Sequence, residues 1–335
     1  MIDRFSEILG DAQTTRPWWF ITAFALIVLA AIPGIFFLVG NVEASLENVL
    51  PPEIESVAAM NDARTQYSAD MLHVVLYAQG AVTDIREVQS FAHELGVRIE
   101  QSPLVVGVNS ELSGPRISHN YLIGVIDVQA DTGTSAEQIA RTLQDIEYAI
   151  RATENPGVEV MVTGFAAIDQ ATFSTIMSDF LRITGLSMFL IIAVVFSLFR
   201  KVRSTAVPLI AVMVALIVTM GITGYLQITI TVVTMVAAAM ILGLGIDFGI
   251  HTIHSYTEYK KTLTTKKALK KTVNELFRAQ LGASMTTSAG FLALGLGVLP
   301  AMADLGLVLA LGVVMTFIAS TMLLPPILLL TEKSQ

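Results

Sequence analysis

A chain of 335 residues that is 53% hydrophobic and only 14% charged is not an ordinary soluble protein, in which about 25% of residues are charged. Its mean hydropathy of +0.67 places it among integral membrane proteins, and the absence of cysteine excludes disulfides from any exterior domain. The formal net charge of −8 hides a segregation of charge along the chain.

Apolar runs of about 20 residues are long enough to cross a bilayer as helices. Six spans are expected: Trp18–Val39, Phe180–Phe199, Ala206–Leu226, Ile230–His254, Ala279–Leu299 and Leu305–Leu330. The first reads as a retained anchor rather than a signal peptide, because it runs for about 22 residues without a basic cluster ahead or a small-residue cleavage site. Pro17 suits a first helical position, and Trp18 and Trp19 suit the membrane interface.

Between spans one and two lies the segment Asn41–Asp179, with 20 acidic against 6 basic residues. That balance excludes a basic nucleic-acid-binding surface. Strands are expected at Met71–Ala78, Leu104–Val108, Tyr121–Gln129 and Val158–Thr163. A helix from Thr83 to a glycine cap at Gly96 follows the first strand. Another runs from a Ser135 cap to about Thr153, with Ile139, Leu143, Ile146 and Ile150 on one face. The order βαββαβ is that of a ferredoxin-like split βαβ fold.

Basic residues cluster at Arg200, Lys201 and Arg203, and again from Lys260 to Arg278. The positive-inside rule makes both loops cytoplasmic, which puts both termini inside and residues 41–179 outside. The organisation expected is therefore residues 1–40 as cytoplasmic N-terminus and first span, 41–179 as exterior domain, and 180–335 as five further spans. An amphipathic helix at about 262–278, with Leu269, Val273, Leu276 and Phe277 on one face, either lies on anionic lipid or serves as a solvated connector.

Span four contains GLGIDFGIH, Gly243 to His251. Its spacing, G-x-G-x-x-x-G with no strand before it, is not the dinucleotide fingerprint, and no Walker-type loop occurs in the chain. No cofactor is implied. Gly243, Gly245 and Gly249 suit close helix packing, with Gly290, Gly295 and Gly297 of span five as the matching surface. Packing does not explain Asp247. An acid near the middle of a transmembrane helix costs on the order of 2.5–3.5 kcal/mol, is expected to face the bundle interior, and is a functional candidate by default. Low dielectric favours the neutral form of a carboxyl, so such a group can bind and release a proton. His251 and His254 follow on the same stripe, at about 40° and 20° from Asp247 in projection. His251 suits either a relay or packing, and His254 suits the cytoplasmic interface. Asp-x-x-x-His-x-x-His is too loosely grouped for a metal site. In span five, Thr286, Thr287 and Ser288 are the hydroxyls best placed to reach Asp247, unless they hydrogen-bond their own helix.

GLGIDFGIH with the trailing HSYTEYKK resembles the fourth transmembrane helix of resistance–nodulation–division (RND) exporters, in the hydrophobe/amphiphile efflux branch that includes the mycobacterial large membrane proteins. LPPEIESV after span one, VTGFAAID before span two, TTSAGFLAL in span five and LLPPILLL at the end extend the resemblance over nearly the whole chain. The resemblance implies a non-enzymatic, proton-driven exporter of lipids or amphiphiles in the cell membrane, with Asp247 as the proton relay. Phe248 stands where the family often has tyrosine, which removes a hydroxyl from the expected network. The usual transporter holds two tandem copies of this unit and no internal repeat is visible here, so the chain is expected to pair with itself as a homodimer. Two alternatives are weaker. A Sec-type export accessory subunit would carry a glycine- and aspartate-rich signature where this chain reads NVEASLENVLPPEIE, and a non-transporting sterol-sensing module would not need Asp247.

Overall fold

The computed structural model describes residues 2–40, 51, 54–55, 58, 70–79, 85–111, 116–118, 121–131 and 136–333. The chain divides into two compact units, one formed by Met1–Val42 with Ser178–Gln335 and the other by Glu43–Met177.

The second unit is built on an antiparallel sheet. Its elements are β1 (Asp70–Gln79), α3 (Ile85–Ile99), β2 (Val105–Asn109), β3 (Arg116–Ser118), β4 (Tyr121–Ala130), α4 (Ala136–Ala152) and β5 (Glu159–Gly164). Helices α1 and α2 precede them in the chain, at Ile2–Thr15 and Pro17–Gly40. The strand order is β2-β4-β1-β5, so each helix connects a strand to one two places away, which is the split βαβ arrangement. The short β3 pairs with the start of β4, Ser118 opposite Tyr121, and was not expected from the sequence. Alternation puts Leu72, Val74 and Leu76 of β1 and Ile126 and Val128 of β4 on one buried face. There they pack with Val88, Phe91 and Leu95 of α3 and Ile139 and Ile146 of α4. Gly96 does not end α3 as expected; the helix continues to Ile99. A Cβ at Gly96 would meet the Ser110 side chain at 2.6 Å, so the glycine serves close packing instead. The expected start of α3 near Thr83, the Ser135 cap and most of LPPEIESV lie outside the described residues.

The first unit is helical, and the protein is a helical membrane protein. Besides α1 and α2 it contains the apolar part of α5 (Phe165–Phe199), then α6 (Val202–Tyr225), a four-residue α7 (Val232–Met235), α8 (Ala237–Lys260), α9 (Thr265–Leu292), α10 (Pro300–Met322) and α11 (Leu324–Lys333). Among the described residues five helices are long and apolar enough to cross a membrane: Pro17–Leu38, Leu181–Phe199, Val202–Tyr225, Val233–Lys260 and Pro300–Glu332. The fifth expected span, Ala279–Leu299, is not among them. It and the amphipathic stretch before it form one continuous helix, α9, followed by a 3-10 turn at Ala293–Leu296. Gln280, Ser284, Thr286, Thr287 and Ser288 dilute its apolar half, and Glu275 and Arg278 add charge.

Small residues set the helix packing. A Cβ on Gly34 of α2 would overlap the Gly221 carbonyl of α6, and one on Gly224 would overlap the Gly34 carbonyl, so the two backbones touch. Helix α1, in the segment expected only as a cytoplasmic N-terminus, packs on α9. Leu9 joins Val273, Phe277 and Phe317 in one cluster, Phe5 tilts against Phe277 at 5.5 Å, and Asp11 pairs with Lys270 at 2.8 Å.

Candidate functional site

Helix α8 begins after a capping box, in which the Thr231 hydroxyl accepts from the Thr234 amide and the Thr234 hydroxyl accepts from the Thr231 amide. Its buried residues, among them Ile241, Leu242, Gly245, Ile246, Gly249, Thr252, Ile253 and Tyr256, recur every three or four positions and face α6, α9 and α10. Gly245 lies against Thr316 of α10, and Gly249 against Pro208 of α6. The expected match of these glycines with Gly290, Gly295 and Gly297 is therefore not made within the chain. Nothing lies within 4 Å of a Cβ placed at Gly243 or at Gly290.

The remaining stripe of α8 carries Gly243, Asp247, His251 and His254, and all four are exposed. Asp247 was expected to face the interior of the bundle. Within one chain it lies on the outer face of α8 instead, because the opposite stripe is the one that fits α6 and α10. Among the described residues no hydrogen bond or ion pair engages its carboxylate. It borders a cleft of about 390 Å³ between α8 and α9, floored by Val313 of α10, whose lining includes His251, Gln280, Ala283 and Thr287.

The three hydroxyls of α9 have separate fates. Thr287 shares the cleft with Asp247. Thr286 is exposed and donates to the carbonyls of Gly282 and Ala283 in its own helix, each at 3.0 Å. Ser288 is buried and donates across to the Ala310 carbonyl of α10 at 3.2 Å. His254 is two turns further along α8 and does not line the cleft. Phe248 also lines the cleft, and its ring stands edge-on to Phe317 at 6.3 Å, in an aromatic cluster with Phe277.

The sequence reading missed Gln280. It is 5% exposed, lines the Asp247 cleft, and donates through Nε2 to the Phe248 carbonyl at 3.1 Å and to the Thr252 hydroxyl at 3.2 Å. The signal was its place on the stripe Gln280, Ser284, Ser288, at i, i+4 and i+8 of an otherwise apolar helix. Among the described residues no group of three His, Asp or Glu side chains is arranged to hold a metal.

Apolar membrane-spanning helices, a small α/β sheet unit inserted after the first of them, and an acid on a glycine-rich helix beside a cleft define a multi-pass membrane protein. The model of the MMPL family matches residues 48–334. The chain belongs to the MMPL family, which is related to the RND exporters. It is also 36% identical over 219 residues to the putative membrane protein MJ1562 of Methanocaldococcus jannaschii. That match covers 64% of this chain and 56% of the relative, so the chain spans about half the length of the relative it matches.

Proposed function

We propose that this protein is a proton-driven exporter of lipids or other hydrophobic, amphiphilic molecules, working as a homodimer with Asp247 as the relay. Membership of the MMPL family supports transport of hydrophobic substrates. The observation that carries the mechanism is the position of Asp247, an acid with no partner among the described residues, beside a cleft and on the exposed face of an apolar helix. Facing lipid, it would cost about 2.5–3.5 kcal/mol when ionised. Covering that face with protein removes the cost, and a second copy does so by the commonest closed symmetry, a two-fold. Gly243 and Gly290, with open space around them, let the helices of a partner approach closely.

In this reading the carboxylate takes up a proton from one side and releases it to the other, and the change of charge shifts the balance between two packings of the helices. His251 and Thr287 border the same cleft and supply hydrogen bonds to one protonation state or the other. The sheet unit acts as a ferredoxin-like porter domain outside the cell membrane, with both termini and the basic turns cytoplasmic. Its acidic balance disfavours free anions as substrates and fits neutral or zwitterionic amphiphiles.

The test is transport in proteoliposomes holding a fluorescent phospholipid, under an imposed pH gradient. Wild-type protein should move the lipid and dissipate the gradient, and Asp247→Asn should do neither. Full gradient-driven activity in Asp247→Asn, or transport driven equally by a sodium gradient at constant pH, rejects proton coupling through this residue.

A further inference from the structure

Gln280 poses a problem that its two hydrogen bonds do not solve. Its Nε2 donates to the Phe248 carbonyl, and a carbonyl can only accept, so the orientation of the amide is fixed. That leaves Oε1 buried with no partner among the described residues. A buried acceptor left unmade is costly, and groups in that position usually meet an ordered water or take part in function.

The surroundings fit a water. Gln280 also lines a second void of about 10 Å³, bordered by Thr252, Thr272, Ser320 and Thr321. That is room for one water, and a water needs two to four polar partners. The hydroxyls of Thr272 and Thr321 donate to their own helices and keep lone pairs free to accept, while the Thr252 hydroxyl donates to the Phe248 carbonyl and accepts from Gln280 and, at 3.4 Å, from Ser320. Thr252 sits five residues beyond Asp247, about 7.5 Å along α8 toward its Lys260 end.

A second amide continues the track. Gln13 of α1, 2% exposed, donates through Nε2 to the carbonyl of Thr321 at 2.8 Å, which again fixes the amide and leaves its Oε1 buried without a partner among the described residues. Gln280 thus lines the void directly, and Gln13 is bonded to the backbone of Thr321, one of the residues that line it.

We propose that the void between Gln280, Thr252, Thr272 and Ser320 is a water site through which protons pass between the Asp247 cleft and the α1 side of the bundle. This rests on the reading of Asp247 as a relay. The water donates one O–H to Gln280 Oε1. An excess proton arriving on the water is matched by release of another proton from it, so the site is unchanged after each passage. Gln280 is a positioning residue here; it neither gains nor loses a proton.

Gln280→Met keeps the size of the side chain and removes the acceptor together with the two donated hydrogen bonds, and Thr252→Val removes the bridging hydroxyl with little change of shape. Both are compared with wild type and Asp247→Asn in proteoliposomes, by proton flux under an imposed pH gradient, thermal midpoint, and the infrared O–H stretch of internal water identified by its shift in H2-18O. The expected result is a water band in wild type that both variants lose. Proton flux per folded molecule should fall by about tenfold or more in each, whatever the change in thermal midpoint. A purely structural amide predicts the reverse, a lower midpoint with normal flux per folded molecule, and that result overturns the proposal. Normal flux in Gln280→Met beside an inactive Asp247→Asn also overturns it while leaving the relay intact. Wild-type flux in Asp247→Asn overturns the relay instead, and the infrared band then still decides whether the water is there.

Discussion

The side-chain amide of Gln280 is bonded to the backbone carbonyl of Phe248, 3.1 Å away, and so ties α9 to the residue that follows Asp247. The backbone beneath the acid is held from across the helix pair, while the carboxylate itself is engaged by nothing among the described residues. Position and protonation are thereby separated, and the two can be perturbed independently.

Asp247→Asn should therefore leave the fold alone. The side chain is exposed within the chain, and substitutions at such positions usually change stability by no more than about 0.5 kcal/mol. Thermal unfolding in detergent should match wild type while proton-coupled transport is lost. A large drop in the unfolding midpoint would show that Asp247 is structural.

The glycines should sort by what surrounds them. Gly34→Ile drives a branched side chain into the Gly221 carbonyl, and overpacking of that kind costs about 1–3 kcal/mol or more. Gly243→Ala meets open space in the single chain and should leave its stability unchanged. Unfolding midpoints of the two variants give the comparison.

Because the native chain has no cysteine, crosslinking reads the proposed two-fold contact directly. Single cysteines at Gly243 and Gly290 should join identical chains in native membranes, and one at Ile241, which is 0% exposed, should not. Monomer only, by crosslinking and by mass in nanodiscs, would rule the homodimer out.

The docking of α1 should depend on its apolar residues rather than its ion pair. The Lys270 and Asp11 side chains are 40% and 62% exposed, and exposed pairs contribute about 1 kcal/mol or less. Leu9 is 7% exposed in a cluster with Phe277 and Phe317, so Leu9→Ala should cost about 2–5 kcal/mol. Amide hydrogen exchange along Ile2–Thr15 should rise sharply in Leu9→Ala and little in Lys270→Ala.

Much of this was readable from one-dimensional pattern. The alternation of β1 and the three-to-four spacing of α4 place the sheet unit's core, and an acid inside an apolar run draws attention to Asp247 without any structure. What the sequence does not carry is which way an all-apolar helix faces. Lipid and protein core accept the same side chains, so nothing in Gly243–His251 distinguishes an inward from an outward Asp247. The helix α9 was divided in two because its first half alternates charged and apolar residues and its second half does not, yet no proline breaks it. Helix α1 was missed because two of the residues on its buried face, Ser6 and Gln13, are polar. Gln280 was missed for the same reason.

The unbroken course of α9 has a mechanical consequence. From Thr265 to Leu292 it is a rod of 28 residues, about 42 Å long, with Lys266, Lys267, Lys270 and Lys271 at one end and Thr287 beside Asp247 near the other. With no hinge to absorb a displacement, a tilt or twist applied at the lysine-rich end arrives at the cleft undiminished. Anionic headgroups gripping those lysines would thus set the angle at which α9 meets the acid, making the lipid leaflet itself a lever on the geometry of the cleft.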